Sequence, residues 1–568
     1  MPASSHDGRA TAIRIYSSAV RAAPAEDVTA RACPSFHRFK ADPSRSRPPL
    51  ARPRHVTMSF DPFNRLLDLI EFEGLSDDDA LTGLSEPNAF FHRLVHEGLV
   101  TWVDQAVRRY RDVFLADMVA IGARDVVAVR PWVHQVPPSD ASSRTHELCV
   151  WGRAYTYRSS SRLVRELRVP VTGSTEDRLR SDAEKSTMAY VVAMGSLIDN
   201  ASFDRQRGRY LGGMPFPVLP PDPHIAGTTP PDLVRVLEVS CTDGAVAPLF
   251  QGSVETAEAY FAEHGRTAIR DLFRSTARRP GYDCLECKER KVCDRLPRYG
   301  GMLGISDVSR PRRVYTATTG RYHDECAAQE HFRTLRLPVD DVRETPSAVR
   351  QGNAVHAWLQ RLHDRVPRRP CTTDDLPEDP RHWTGGSWRL EGAEAENAAA
   401  MLASHLEVCP YLGLAPEAPA HTERVIAADD PHCDTLVIAH ADLVYRRSGS
   451  WNYREVKTTS LKRITDGDLL LSRYQQTALA ILLYEAGAIP LGPLSAVELE
   501  ILTPHGPDLR ILDPRSPALR EEARRTVRPW AAAWHADAAH LANPGPACRR
   551  CPYHQWCPSA EAGEEVKK

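Results

Sequence analysis

The chain has 568 residues, with 72 Lys and Arg against 74 Asp and Glu, for a formal net charge of −2. That length supports two or more domains with cores of their own, and the near-neutral balance excludes a global basic field, so nucleic-acid contacts must come from local patches. No apolar run is long enough to span a bilayer, no charged-then-apolar leader opens the chain, and six of the thirteen cysteines sit in two tight groups, a pattern expected of a reducing cytoplasm.

Residues 1–57 are rich in Arg, Pro, Ser and Ala without a steady period, and are expected to be a disordered or mis-annotated extension, with Met58 as an internal start and a basic nucleic-acid-binding arm as the alternative. An amphipathic segment, Phe63–Ile70, opens the next region. Further on stand Cys149, the Arg-Leu stretch Arg165–Pro170, Met194-Gly195 leading to Asp199, an apolar strand Leu233–Ser240, a helix from Glu255 to Tyr260, and a trio spaced C-x2-C-x5-C at Cys284, Cys287 and Cys293. Cys33, Cys371, Cys409 and Cys433 have no partners at useful spacing and read as ordinary thiols, and Cys241 reads as a buried one. The Arg/Pro/Gly-rich run Asp294–Arg313 is a linker.

The second half carries the chemistry. Cys326 lies in a short helical segment, His323–Phe332. Downstream, two apolar strands, Asp442–Tyr445 and Trp451–Lys457, are joined by a turn at Arg447-Ser448-Gly449-Ser450. The strand period of two puts Glu455 and Lys457 on one face, and Asp442 approaches from the partner strand. Two carboxylates and an ammonium suit metal-assisted phosphodiester hydrolysis: the carboxylates take Mg²⁺ or Mn²⁺ through oxygen, and Lys457 orients water or stabilises developing charge. Alone, a Glu-x-Lys pair is usually a solvated face. Near the C-terminus the C-x2-C-x5-C spacing recurs at Cys548, Cys551 and Cys557, calling for a soft metal or a cluster, with a zinc ribbon using His554 or plain thiols as alternatives.

Taken together, these residues resemble the RecB-like branch of the PD-(D/E)XK nucleases, in its iron–sulfur group, which includes the AddB nuclease and CRISPR-associated RecB-like exonucleases. The resemblance covers roughly residues 311–568. It implies a restriction-endonuclease-like α/β fold, a mixed sheet flanked by helices, and a 4Fe-4S cluster, with zinc as the alternative, held by Cys326, Cys548, Cys551 and Cys557. It further implies a metal-binding His356, on a helix following Gly352, beside Asp442 and Glu455. A glutamine helix follows, with Gln476 carried over as catalytic, although Ala480 stands where the family has tyrosine and Tyr484 lies a turn further on.

Landmark order repeats in the first half. Laying Asp199 over His356, Leu233–Ser240 over the Lys457 strand and Glu255–Tyr260 over the glutamine helix predicts a degenerate copy at 58–310. Ser240 then replaces the lysine, and Cys149, Cys284, Cys287 and Cys293 form a second cluster; a helical domain with a small zinc site is the alternative. The expected activity is a cytoplasmic metal-dependent DNase on single strands or DNA ends, in repair or foreign-DNA defence, with a helicase or CRISPR adaptation proteins as partners. The rival readings are a non-catalytic DNA-binding subunit and a zinc-ribbon scaffold.

Overall fold

The structure is a computed structural model that describes residues 11–20, 32–42, 45, 51, 53–85, 93–136, 144–176, 180–203, 213–340, 346–460 and 470–560. In the first half lie β1 (Thr11–Tyr16), β2 (Ala123–Val129), β3 (Trp132–Val136), β4 (Arg144–Cys149), β5 (Arg153–Ser159), β6 (Arg162–Val171), β7 (Ser196–Leu197), β8 (Leu233–Ser240) and β9 (Val246–Gly252). The second half adds β10 (Arg313–Tyr315), β11 (His382–Gly385), β12 (Trp388–Glu391), β13 (Ala420–Asp430), β14 (Thr435–Arg447), β15 (Ser450–Thr458), β16 (Val497–Thr503) and β17 (Gly506–Leu512).

The fold class is α/β, with mixed sheets flanked by helices, and the second half fits a restriction-endonuclease-like fold. Its main sheet runs β10-β14-β15-β16-β17, with β13 also on β14. The β14–β15 hairpin closes at the pair Arg447↔Ser450. Its two turn residues, Ser448 and Gly449, both have positive φ, 47° and 81°, the combination a tight hairpin needs and glycine supplies without strain. From β15 the chain crosses over through the helix Gln475–Glu485 to the parallel strand β16. That helix is apolar on nearly every side, because the sheet covers one face and the helix Pro517–Ala536 another.

Strand pairing in the first half repeats this plan and corrects the sequence-based superposition. The order β2-β5-β6-β8-β9 has the same senses as β13-β14-β15-β16-β17: antiparallel, antiparallel, parallel, antiparallel. Hence β8, with Glu238 and Ser240, stands where β16 stands, and β6 is the counterpart of the Glu455–Lys457 strand. The matching crossover helix is Asp182–Met194; the helix Val254–Tyr260 follows β9, outside the crossover, and Asp199 lies beyond the crossover helix instead of ahead of the sheet, where His356 is.

Counting from the closing pair Ser159↔Arg162, the positions of Asp442, Glu455 and Lys457 fall on Ala154, Leu167 and Val169. All three are packed in one apolar core. Arg165, counted to the position of Tyr453, likewise faces its crossover helix, where the guanidinium donates to the carbonyls of Val192 (3.1 Å) and Gly195 (2.9 Å). The repeat is one of architecture, and its first copy has hydrocarbon where the second has charge.

Residues near the start of the chain are built into this architecture, against the expectation for 1–57. Strand β1 pairs in parallel with β4, from Thr11↔Arg144 to Tyr16↔Cys149, and the helix Pro34–Ala41, with proline at its first position, packs beside the 277–293 segment. The two halves also interlock. Tyr553, Trp556, Ala328 and Phe332 of the second half share a core with Leu99 and Trp102 of the first. Conversely, Cys284 and Leu296 pack on Leu436 and Ile438 of β14. The run 294–313 read as a linker holds buried Leu296, Met302 and Leu303, so it is part of a core.

Beneath β15, the buried Arg454 guanidinium donates to Glu498 (Nε, 2.7 Å) and Glu500 (Nη1, 2.7 Å) on β16. Replacing it would leave Glu498 without its cation and Glu500 with His405 alone, both in the buried interior. Arg454→Met is expected to lower the urea unfolding free energy by about 3–5 kcal/mol, while Arg389→Ala, which removes an exposed pair with Glu391, leaves the unfolding curve in place.

Candidate active site and cysteine sites

At Leu443↔Arg454 the β14–β15 ladder ends, and β15 continues its pairing only with β16. The next residue back along β14, Asp442, would face Glu455. Its carboxylate Oδ2 instead accepts the Val456 N–H at 2.6 Å, so a side chain fills the place of the ladder bond. The strands part there, and the opening holds the predicted set. The other Asp442 oxygen, Oδ1, lies 3.3 Å from His356 Nδ1. Glu455 Oε1 accepts from Lys457 Nζ at 2.6 Å, and Oε2 accepts from the Tyr453 hydroxyl at 3.0 Å. Asp442, His356 and Lys457 keep 21–28% of their side-chain surface exposed, whereas Glu455 keeps 5%, which describes a cleft with a buried carboxylate at its floor.

His356 comes from the helix Ser347–Asp364, four residues after Gly352. A Cβ at Gly352 would lie 3.0 Å from Thr458 Oγ1 at the end of β15, so the missing side chain lets the helix run close to the strand. Burial works against each charge, and the neighbours decide the outcome. The His356 imidazolium is opposed by burial, yet the Asp442 carboxylate outweighs this and holds its pKa above 6.5. Burial raises Asp442, but His356, Lys457 and the Val456 amide bring it below its ordinary value. Burial raises Glu455 and Asp442 raises it further, against the pull of Lys457. Lys457 is opposed by burial but held cationic by Glu455 and Asp442. Two carboxylates and an imidazole converging on one cleft form a donor set that fits a hard divalent cation.

Gln476 is half-buried at the second position of the crossover helix, and Gln475 before it is buried. Two residues at the site escaped the sequence reading. Tyr453 braces Glu455 and also donates to the His440 carbonyl at 3.1 Å; its place on the Glu455 face, two residues earlier, was the available signal. Arg321, on the exposed side of the helix Ala317–Glu325, is near enough for its charge to act on Lys457. Nothing local marked it, since 135 residues of chain lie between it and Lys457.

Cys326, Cys548, Cys551 and Cys557 line one pocket. The Asn543 N–H points at Cys326 Sγ (3.4 Å), fixing the leading cysteine to the trailing loop. Burial, and then the charges of the other three thiols, push Cys551 up to about 11; thiolates crowded in this way need a cation among them.

The first trio differs from expectation. Cys284, Cys287 and Cys293 line a pocket with Cys33, and Cys149 is not among its lining residues. Cys149 ends β4, between β1 and β3, beside Glu147. The segment bearing Cys33 is tied to the trio's loop by the Cys33 N–H on Asp283 (2.7 Å), the Ser35 hydroxyl on the Ala277 carbonyl (2.7 Å) and Lys288 on the Asp42 carbonyl (2.6 Å). Burial is the largest influence raising Cys284 to about 12, with the charges of Cys33, Cys287 and Cys293 adding to it. Cys33 was missed because it precedes the trio by some 250 residues inside a stretch without periodicity.

A family model described as "PD-(D/E)XK nuclease superfamily" matches residues 321–558. The matched stretch takes in His356, Asp442, Glu455 and Lys457 and the second cysteine group, from Arg321 and Cys326 to Cys557, and this part of the chain is similar to nucleases of that superfamily. A comparison with curated proteins found no match.

The pocket membership gives a direct test. Cys33→Ser is expected to lower the metal content of the purified protein by one site's worth, as Cys287→Ser does, and Cys149→Ser to leave it unchanged. Equal metal content in Cys33→Ser and the unaltered protein, by elemental analysis, would contradict the assignment of Cys33.

Proposed function

We propose that the chain is a metal-dependent deoxyribonuclease acting on single-stranded or end-exposed DNA, with its chemistry in the second half and a catalytically silent first half. The observation that carries this reading is the convergence of Asp442, Glu455, Lys457 and His356 where β14 and β15 part. A Mg²⁺ or Mn²⁺ ion held by Asp442, Glu455 and His356 would supply Lewis acidity and neutralise phosphate charge.

The chain's own residues supply the rest. The Val456 amide fixes Asp442 with one oxygen turned toward the cleft. Tyr453 and Lys457 hold the Glu455 carboxylate from both sides. Lys457, held cationic and partly exposed, presents N–H donors where a phosphate oxygen accumulates charge. Arg321 extends the positive surface next to it, the kind of local patch required of a protein with no net basic field.

The two cysteine quartets are read as sites for 4Fe-4S clusters, with zinc as the alternative at each. In the second quartet, ligation would join Cys326 to Cys557 across the whole domain, closing a long loop whose entropy the metal offsets. Cytoplasmic end processing or foreign-DNA defence, with a helicase or CRISPR adaptation partner, is the biology this reading implies.

Purified protein with Mn²⁺ is expected to degrade labelled single-stranded DNA and linear duplex while sparing closed circular duplex. Lys457→Ala should reduce cleavage by about 10²–10³-fold with unchanged thermal unfolding, and undiminished cleavage would overturn the reading. Glu238→Ala, on the strand equivalent to β16, should leave the rate unchanged.

A further inference from the structure

Cys371 and Cys409, read from sequence as ordinary thiols, are brought together with two histidines from separate helices. His363 comes from the last turn of Ser347–Asp364 and His405 from the last turn of Gly392–His405; each cysteine lies a few residues beyond the corresponding helix end. One ligand atom from each of the four residues lies within 4.8 Å of the other three. All four residues are buried, with exposures of 5% (His363), 5% (Cys371), 0% (His405) and 2% (Cys409). We propose that His363, Cys371, His405 and Cys409 bind one structural zinc ion, separate from the active site and from both cysteine quartets.

Three features favour zinc over an ordinary core. First, His363 Nε2 and His405 Nε2 face each other at 3.2 Å; two ligands at about 2.0–2.1 Å from a tetrahedral zinc would stand about 3.4 Å apart. Second, the remaining nitrogen of His405, Nδ1, is 2.5 Å from Glu500 Oε1. A carboxylate there makes Nδ1 the protonated nitrogen and turns the Nε2 lone pair toward the cysteines, the outer-shell arrangement typical of metal-bound histidine. Third, the set is two thiolates and two imidazoles. These soft and borderline donors select zinc over Mg²⁺ or Mn²⁺, and a set of four protein ligands leaves no open position for catalysis.

The site also has a mechanical consequence. His363 lies two helical turns beyond His356 on the same helix. From His405, the contact passes through Glu500 to Arg454, the residue before Glu455, and Arg454 Nη1 also donates to the Val408 carbonyl beside Cys409 at 2.7 Å. One ion would thus fix the helix that delivers His356 and the strand that delivers Glu455 relative to each other. The proposal does not depend on the nuclease reading, because its readout is metal content and coordination.

The test uses the unaltered full-length protein, purified anaerobically and dialysed. Elemental analysis is expected to find one zinc per chain, and X-ray absorption at the zinc edge a shell of two sulfurs at ~2.3 Å and two nitrogens at ~2.0–2.1 Å. Absence of zinc, a four-sulfur shell, or a Cys371–Cys409 disulfide detected by mass spectrometry would each overturn the proposal. Among variants, Cys371→Ser and His405→Gln should lose the zinc while Cys551→Ser keeps it; the reverse pattern would place the zinc at Cys326–Cys557 instead. Should the variants fail to fold, the absorption measurement on the unaltered protein still decides the matter.

Discussion

The active-site geometry depends on one substitution of a side chain for backbone. Where the β14–β15 ladder would continue, the Asp442 carboxylate takes the Val456 amide. A backbone carbonyl in that place would keep the strands together and leave Asp442 and Glu455 as neighbours on a closed sheet. With the carboxylate there, the amide is still satisfied, as a buried N–H must be, and the strands diverge to open a cleft. Against burial, His356 and Lys457, and after them this hydrogen bond, bring the Asp442 pKa down, and the second carboxylate oxygen lies 3.3 Å from His356. Everything else at the site is arranged around that opening: Tyr453 and Lys457 on Glu455, and His356 from the helix that Gly352 allows to run close by.

The first half shows what the same architecture becomes without that requirement. Its sheet has the same order and senses, but the three equivalent positions are Ala154, Leu167 and Val169 in an apolar core. Buried charge remains on the opposite face of β6, as it does on that face of β15. Arg168 and Glu166 form a buried ion pair that reaches Asp117, and Arg235 joins them from β8. A cleft would cost this half its core without providing a site. The two halves instead exchange their cysteine-bearing ends, each packed on the other half. Tyr282, beside Cys284, reaches His440 Nε2 at 2.8 Å, two residues from Asp442. The first half is therefore part of the surroundings of the active strand.

Much of the candidate site was readable from sequence because it is encoded locally. Glu455-x-Lys457 follows from the strand period, Asp442 from a short hairpin, and the C-x2-C-x5-C loops from ligand spacing within ten residues. In the first half the superposition went wrong because it matched apolar segments by their order. A strand of the type of Leu233–Ser240 fits either the β15 or the β16 position, and only hydrogen-bonded pairing tells the two apart. The order expected to be missing near the chain start illustrates another limit. The segment holding β1 and Cys33 has no period of its own, since it packs against partners more than a hundred residues away.

By itself, then, the sequence determined the α/β class, the hairpin with its two carboxylates and lysine, and three of the four cysteines that line each pocket, because period and spacing act over a few residues. Tertiary structure alone decided that Cys33 and not Cys149 lines the pocket of the first trio, that β6 and not β8 is the counterpart of β15, and that His363, Cys371, His405 and Cys409 meet at one point. The physical reason is common to all three. Such contacts join segments tens to hundreds of residues apart, and they form only when burial of apolar surface folds the intervening chain into one packed arrangement, a result that no local pattern of residues records.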